Sequence, residues 1–168
     1  GFVNALLRAY LRERETTQTL LADLRRQDPA LGLSHPGWLV QRWQNRWGPE
    51  STLALLEWNN SPAPVFARVN TLKTDPSRLL ERWRLENVEY GFGTWDWIPP
   101  NTVFRLNAHP PFPKLPSFNE GWFYLQDPST LLAVTLLAPQ PDHAVLDLCA
   151  APGGKTSYIA QQLVPAPA

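Results

Sequence analysis

The chain has 168 residues, 43% of them hydrophobic, enough for one ordinary domain or two small ones with a buried core. Its 15 Lys and Arg balance 15 Asp and Glu, so total charge does not mark a binder of nucleic acid or of a membrane surface. One cysteine, Cys149, excludes an internal disulfide framework, and no apolar run approaches the roughly 20 residues that span a bilayer.

A lone thiol fits a reducing compartment, so the expectation is a cytoplasmic globular protein with no membrane partner and no metal. Phe2, Leu6, Leu7, Tyr10 and Leu11 recur at helical spacing, with Arg8, Arg12, Glu13 and Arg14 on the other face. Residues 2–14 are therefore predicted to form an amphipathic helix, and Thr17 to Arg26 a second. Helices this short do not enclose a core of their own and are expected to pack on another body. The chain opens on Gly1 inside this apolar pattern and reads as a piece of something longer. Its front is also its basic part: residues 1–48 hold 7 Arg against 4 acids, residues 49–121 hold 7 bases against 8 acids, and residues 122–168 hold Lys155 against 3 acids. So small a surplus suits a solvated helix face, or at most an auxiliary contact to phosphate.

Asp28-Pro29 and Ser34-His35-Pro36 mark a linker. Pro36 then suits the first turn of a helix carrying Trp38, Leu39, Trp43 and Trp47, which Gly48-Pro49 ends. A further helix, Glu50 to Trp58, runs into the turn signal Asn59-Asn60-Ser61-Pro62. From Val65 the period changes: "VFARVNTLK" is β-like, Asp75-Pro76 caps a helix carrying Leu79, Leu80 and Trp83, and "VEYGFGTWDWI" and "TVFRL" read as strands. Four prolines between Pro110 and Pro116 predict an extended connector. "GWFYLQ" gives one more strand, and Asp127-Pro128 caps the apolar helix "STLLAVTLLA". Trp38, Trp43, Trp47 and Trp83 sit at core spacing, whereas Trp95 and Trp97, flanked by Gly93 and Pro99, suggest a loop platform for a stacking ligand.

The chemistry is concentrated in "AVLDLCAAPGGKTSYIAQQL". "AVLDL" is apolar enough for a buried parallel strand and "KTSYIAQQL" for a helix, the unit whose helix N-terminus and small-residue loop bind nucleotide-type ligands. Gly154-Lys155-Thr156 matches the end of a phosphate-binding P-loop, but Cys149 stands where its first glycine belongs. Pro152 removes an amide that such a loop uses, and Asp147 brings a carboxylate toward a polyanion. The same carboxylate suits S-adenosyl-L-methionine, whose ammonium and sulfonium are cationic. Both ligands fit the strand, loop and helix pattern.

"LDLCAAPGGKT" closely resembles the first cofactor motif of the RNA cytosine-C5 methyltransferases of the Sun/Fmu family. "GFVNALLR" is similar to the last helix of a NusB-like RNA-binding domain, "HPGWLVQRW" and "NNSPAPVFARVNTLK" to the segments ahead of the catalytic domain, and "GWFYLQDPSTLLAVTLLAP" to its lead-in, where Pro128 departs from the family pattern. The resemblance implies an α/β fold: the helical tail of a NusB-like domain over 1–27, a pre-catalytic α+β domain over 28–119, and the beginning of a truncated Rossmann-like methyltransferase domain over 120–168. It implies S-adenosyl-L-methionine as cofactor, RNA, ribosomal above all, as partner, and Cys149, Ala150, Ala151, Pro152, Gly153, Gly154 and Lys155 as cofactor-binding residues.

The family's chemistry, as the resemblance implies it, adds a cysteine thiolate to carbon 6 of cytosine, methylates carbon 5 and releases the product with a second cysteine. The family's motif carries its own loop cysteine, so Cys149 is not assigned as the nucleophile and no catalytic residue is expected in this chain. The 168 residues alone are therefore expected to be inactive. A non-enzymatic alternative is an RNA-binding adaptor built from the Arg-rich helices and the α+β unit, with Arg68 and Asn70 as candidate RNA contacts.

Overall fold

The computed structural model describes residues 1–164 and divides into two units, Gly1–Ala63 and Pro64 onward. The first unit is helical. α1 (Phe2–Arg12) and α2 (Arg14–Gln27) are separated at Glu13, whose φ of −107° and ψ of 21° interrupt what the periodicity predicts as one helix over 2–14. Neither helix buries a side chain, in keeping with two short amphipathic helices that lack a core of their own.

The predicted linker contains a single-turn helix, α3 (Pro29–Gly32), because the Asp28 carboxylate accepts a hydrogen bond from the Leu31 amide at 3.1 Å and Pro29 occupies the first turn. Gly32 packs against the backbone of α2: a Cβ there would lie 2.5 Å from the Arg25 nitrogen, so no other residue fits. α4 (Gly37–Trp47) and α5 (Pro49–Asn59) follow, joined at Gly48, whose φ of 83° lies in the region glycine tolerates. Their small core is Leu33, Val40 and Leu56, with Ala30 and Trp43 against it. Core spacing misleads for the other two tryptophans of α4: Trp38 is 68% exposed and Trp47 is also exposed. Three short elements offer one apolar stripe, and Trp43 already fills it.

The second unit is built on an antiparallel sheet. β1 (Val65–Val69) pairs on one side with β3 (Val103–Ala108), placing Val65 opposite Leu106, and on the other with β4 (Phe123–Leu125), placing Arg68 opposite Tyr124. β2 (Glu89–Phe92) extends the sheet beyond β3, giving the order β2-β3-β1-β4. Alternation along β1 sends side chains to two different cores. Ala67 and Val69 face α6 (Pro76–Leu85), joining Leu79, Trp83, Phe104 and Phe123. Phe66 faces the opposite way and packs against Val103, Leu131, Val134, Tyr158 and Ile159. Asp75 caps α6 as expected, accepting from the Arg78 amide at 3.0 Å.

Several expectations are corrected. The predicted strand over "VEYGFGTWDWI" ends at Phe92, because Trp95 folds back over Gly93, where a Cβ would lie 1.9 Å from the indole ring. Trp95 then meets Phe66 edge-on at 5.7 Å, and Trp95 and Trp97 pack on the second core, so they are not an open stacking platform. The proline-rich connector carries a 3-10 turn at Phe112–Lys114 and the short α7 (Pro116–Asn119). The helix predicted after Asp127 begins as a 3-10 turn, Pro128–Leu131, and continues as α8 (Leu132–Leu137), ending at Ala138 in a left-handed conformation.

The largest correction concerns "AVLDL". Among the described residues it pairs with no strand: residues 144–147 carry no regular structure and Leu148 already lies in a turn, with Leu146 81% and Leu148 86% exposed. An apolar run becomes a parallel strand only beside neighbours that pair with it, and every strand pair described here is antiparallel. The fold is α/β with a small antiparallel sheet. The beginning of a Rossmann-like domain expected over 120–168 is represented among the described residues by the loop and α9, with its one expected strand unpaired. α9 (Gly154–Leu163) follows the loop as predicted, burying Tyr158 and Ile159.

Candidate cofactor loop

Residues 147–153 form the turn that delivers the chain into α9. Asp147 closes it from within: one carboxylate oxygen accepts from the Cys149 amide at 3.0 Å, the other from the Thr156 hydroxyl at 2.6 Å. The Thr156 hydrogen bond, then the Cys149 amide and the Lys155 charge, outweigh partial desolvation and hold this carboxyl below the usual range, so it is ionised near neutrality.

Of the residues assigned to cofactor binding, Cys149, Ala150, Ala151 and Pro152 are exposed, and Gly153, Gly154 and Lys155 half-buried. They are consecutive and line one loop. Gly153 is the N-cap of α9 with φ of 106° and provides no side-chain cap, so the first-turn amides face outward with the partial positive charge of the helix end. An open depression of about 310 Å³ adjoins the loop, lined by Val134, Leu137, Asp147, Cys149, Lys155 and Ile159 among others.

The surroundings include residues that the motif does not contain. The Tyr124 hydroxyl donates to the Pro152 carbonyl at 2.7 Å, and a Cβ on Gly154 would approach Gln126 Nε2 to 3.0 Å. Tyr124 and Gln126 belong to "GWFYLQ", legible only as a strand, and their spacing of two, on the face shared with Arg68, is the signal that marks them.

The two candidate RNA contacts, Arg68 and Asn70, are both engaged within the second unit. Arg68 is 1% exposed and so lies off any surface that phosphate reaches. It sits on the central strand under α9, with its guanidinium donating to Gln126 Oε1 and Ser157 Oγ. Asn70 is half-buried and committed to the turn after β1: its side-chain amide donates to the Gly121 carbonyl at 2.7 Å, and its oxygen accepts from the Leu72 amide. Among the described residues, no cluster of three or more His, Cys, Asp and Glu is placed to hold a metal, and no helix is long and apolar enough to cross a membrane.

Two family models match stretches of the chain that include parts of this α+β unit and the loop with its helix. Residues 35–94 match the RsmF/B-like methyltransferase, ferredoxin-like domain, and residues 134–167 match the 16S rRNA methyltransferase RsmB/F family. The chain belongs to this RsmB/F family of methyltransferases, the Sun/Fmu group. It is 40% identical over 161 residues to the ribosomal RNA small subunit methyltransferase B of Cronobacter sakazakii, and 38% identical over 159 residues to that of Escherichia coli; each alignment covers 95% of this chain and 35% of the relative. The chain thus spans about a third of the length of the curated relatives it matches. A crystal structure of a methyltransferase homolog protein from Pyrococcus horikoshii is 33% identical, with a TM-score of 0.68 over 81% of this chain and 43% of that one.

Proposed function

We propose that the protein carrying these residues transfers a methyl group from S-adenosyl-L-methionine to carbon 5 of a cytosine in small-subunit ribosomal RNA, with this chain providing the pre-catalytic unit and the cofactor loop. The observation that carries the reading is the Asp147 carboxylate, held by the Cys149 amide and the Thr156 hydroxyl in a loop of small residues beside the uncapped start of α9. A cationic ligand gains from that carboxylate, and its polar end gains from the first-turn amides. A triphosphate meets the same carboxylate as repulsion, and Pro152 offers it no amide. The cofactor supplies the methyl group. This chain's residues would orient it: Asp147 by charge, and Val134, Leu137 and Ile159 by walling the adjoining depression, while Gly153 and Gly154 leave room for Tyr124 and Gln126 behind the loop.

The relatives' printed names, ribosomal RNA small subunit methyltransferase B, support the substrate class. Cys149 serves as a loop residue, its amide already holding Asp147. The thiolate chemistry of the family needs two cysteines, and this sequence has one. With one loop, one helix and an open depression in place of a site built on several parallel strands, the 168 residues bind cofactor weakly, and with one cysteine they do not turn over.

Calorimetry with S-adenosylmethionine and, separately, with ATP and magnesium tests the ligand, and transfer of labelled methyl to unmodified small-subunit RNA tests activity. Weak binding of the first ligand, none of the second and no transfer are expected. Tight triphosphate binding overturns the reading of the loop, and turnover by the chain overturns the assignment of Cys149.

A further inference from the structure

Among the described residues no strand pairs with the cofactor loop, yet three ties join its exit and α9 to β1 and β4. Arg68 makes the central one. Its Nε donates to Gln126 Oε1 at 2.8 Å, and its Nη2 donates to Ser157 Oγ at 2.7 Å and reaches the Gly154 carbonyl at 3.5 Å. The guanidinium lies 5.1 Å from the ring centre of Tyr158 and 5.7 Å from that of Tyr124. Tyr124 in turn holds the Pro152 carbonyl, and one turn further along α9 Gln161 donates to the Val69 carbonyl at 3.0 Å and to Thr71 Oγ1 at 2.7 Å.

This is an expensive way to fill a space between a strand and a helix. Burial lowers the Arg68 pKa to about 10, and its Nη1 is buried with no partner among the described residues. A methionine occupies similar volume without that desolvation, and buried charges are often replaceable by hydrocarbon at no loss of stability. A hydrocarbon cannot, however, fix a carbonyl and a hydroxyl in the first turn of α9 while also anchoring to a glutamine beside the loop. The planar fork of arginine does so because its donors leave in fixed directions.

We propose that Arg68 is a positioning residue for the cofactor loop: acting through Gln126, Ser157 and Gly154, it latches the start of α9 to the central strand and so presets the backbone that receives S-adenosylmethionine. The inference rests on the proposed function for the identity of the ligand, but the latch itself is measurable without any ligand.

The test compares the 168-residue chain with its Arg68→Met, Arg68→Lys and Ser157→Ala variants, by amide hydrogen exchange and by calorimetry with S-adenosylmethionine. Ser157→Ala leaves the sheet untouched and carries the test should Arg68→Met not fold. Loss of one charge-assisted hydrogen bond should speed exchange at the hydrogen-bonded amides that begin α9, from Ser157 to Gln161, by about tenfold and weaken cofactor binding by a similar factor. Exchange in α6 and β3 should be unchanged, which a merely structural role would not give. Arg68→Lys should not restore the loop, since an ammonium lacks the fork. Faster loop exchange in a chain that binds no S-adenosylmethionine supports the latch while overturning the proposed ligand. Unchanged loop exchange in Ser157→Ala, or acceleration spread evenly over α6 and β3, overturns the latch whatever the cofactor does.

Discussion

Asp147 and Thr156, nine residues apart, are joined across the loop by a 2.6 Å hydrogen bond from the threonine hydroxyl to the carboxylate. That bond ties the segment before the loop to the first turn of α9, and it is the largest cause of the lowered Asp147 pKa. A carboxyl whose folded-state pKa is depressed contributes stability that is present above its unfolded pKa and lost as pH falls through the folded value. Removing Thr156 as donor should move the titration upward, toward the ordinary carboxylate range. In Thr156→Val, the Asp147 carboxyl followed by NMR should protonate at a higher pH than in the parent. An unchanged midpoint would show that the Cys149 amide and Lys155 suffice.

Gly153 adopts φ of 106°, a region that side chains other than glycine's rarely enter. A Cβ there would sit 3.6 Å from the Tyr124 hydroxyl, an ordinary contact, so the cost of Gly153→Ala is backbone strain and not collision. The variant should lose about 1–2 kcal/mol in chemical denaturation. A cost near zero would mean that the loop relaxes freely.

Trp83 is fully buried, with Tyr90, Phe104 and Phe123 rings at 5.6, 5.8 and 5.3 Å, whereas Trp38 is two-thirds exposed. Trp83→Ala should cost about 3–5 kcal/mol and Trp38→Ala less than about 0.5 kcal/mol, both read from denaturant midpoints. Trp83→Phe should be milder, because it also removes an indole N–H that is buried without a partner among the described residues. Equal costs for the two tryptophans would contradict the division of the cores.

Leu146 and Leu148 present apolar side chains and unpaired backbone to solvent, with Leu136 and Leu137 exposed nearby on α8. Such a patch promotes association. The 168-residue chain should show concentration-dependent self-association by sedimentation, and the double variant Leu146→Lys, Leu148→Lys should suppress it without lowering the melting temperature. Persistent association in that variant would place the sticky surface elsewhere.

What could be read from the sequence was local. Asp75 and Asp127 cap the elements they precede, α6 follows its apolar period, α5 runs between Gly48-Pro49 and Asn59-Asn60, α9 follows its loop, and the small-residue loop lies where its motif stands, because caps, turns and helical faces depend on neighbours a few residues away. Tertiary structure decided the rest. Whether "AVLDL" is a strand depends on partners that are distant in the chain, and no described residue pairs with it. Whether Trp38 or Trp83 is core depends on which face another element covers. Arg68 is the clearest case: its charge suggested a surface contact, but the alternation of a central strand turns it under α9, beside Gln126 and Ser157, which lie 58 and 89 residues further along the chain. Sequence spacing carries the period of each element, and only the packed sheet determines what meets each face.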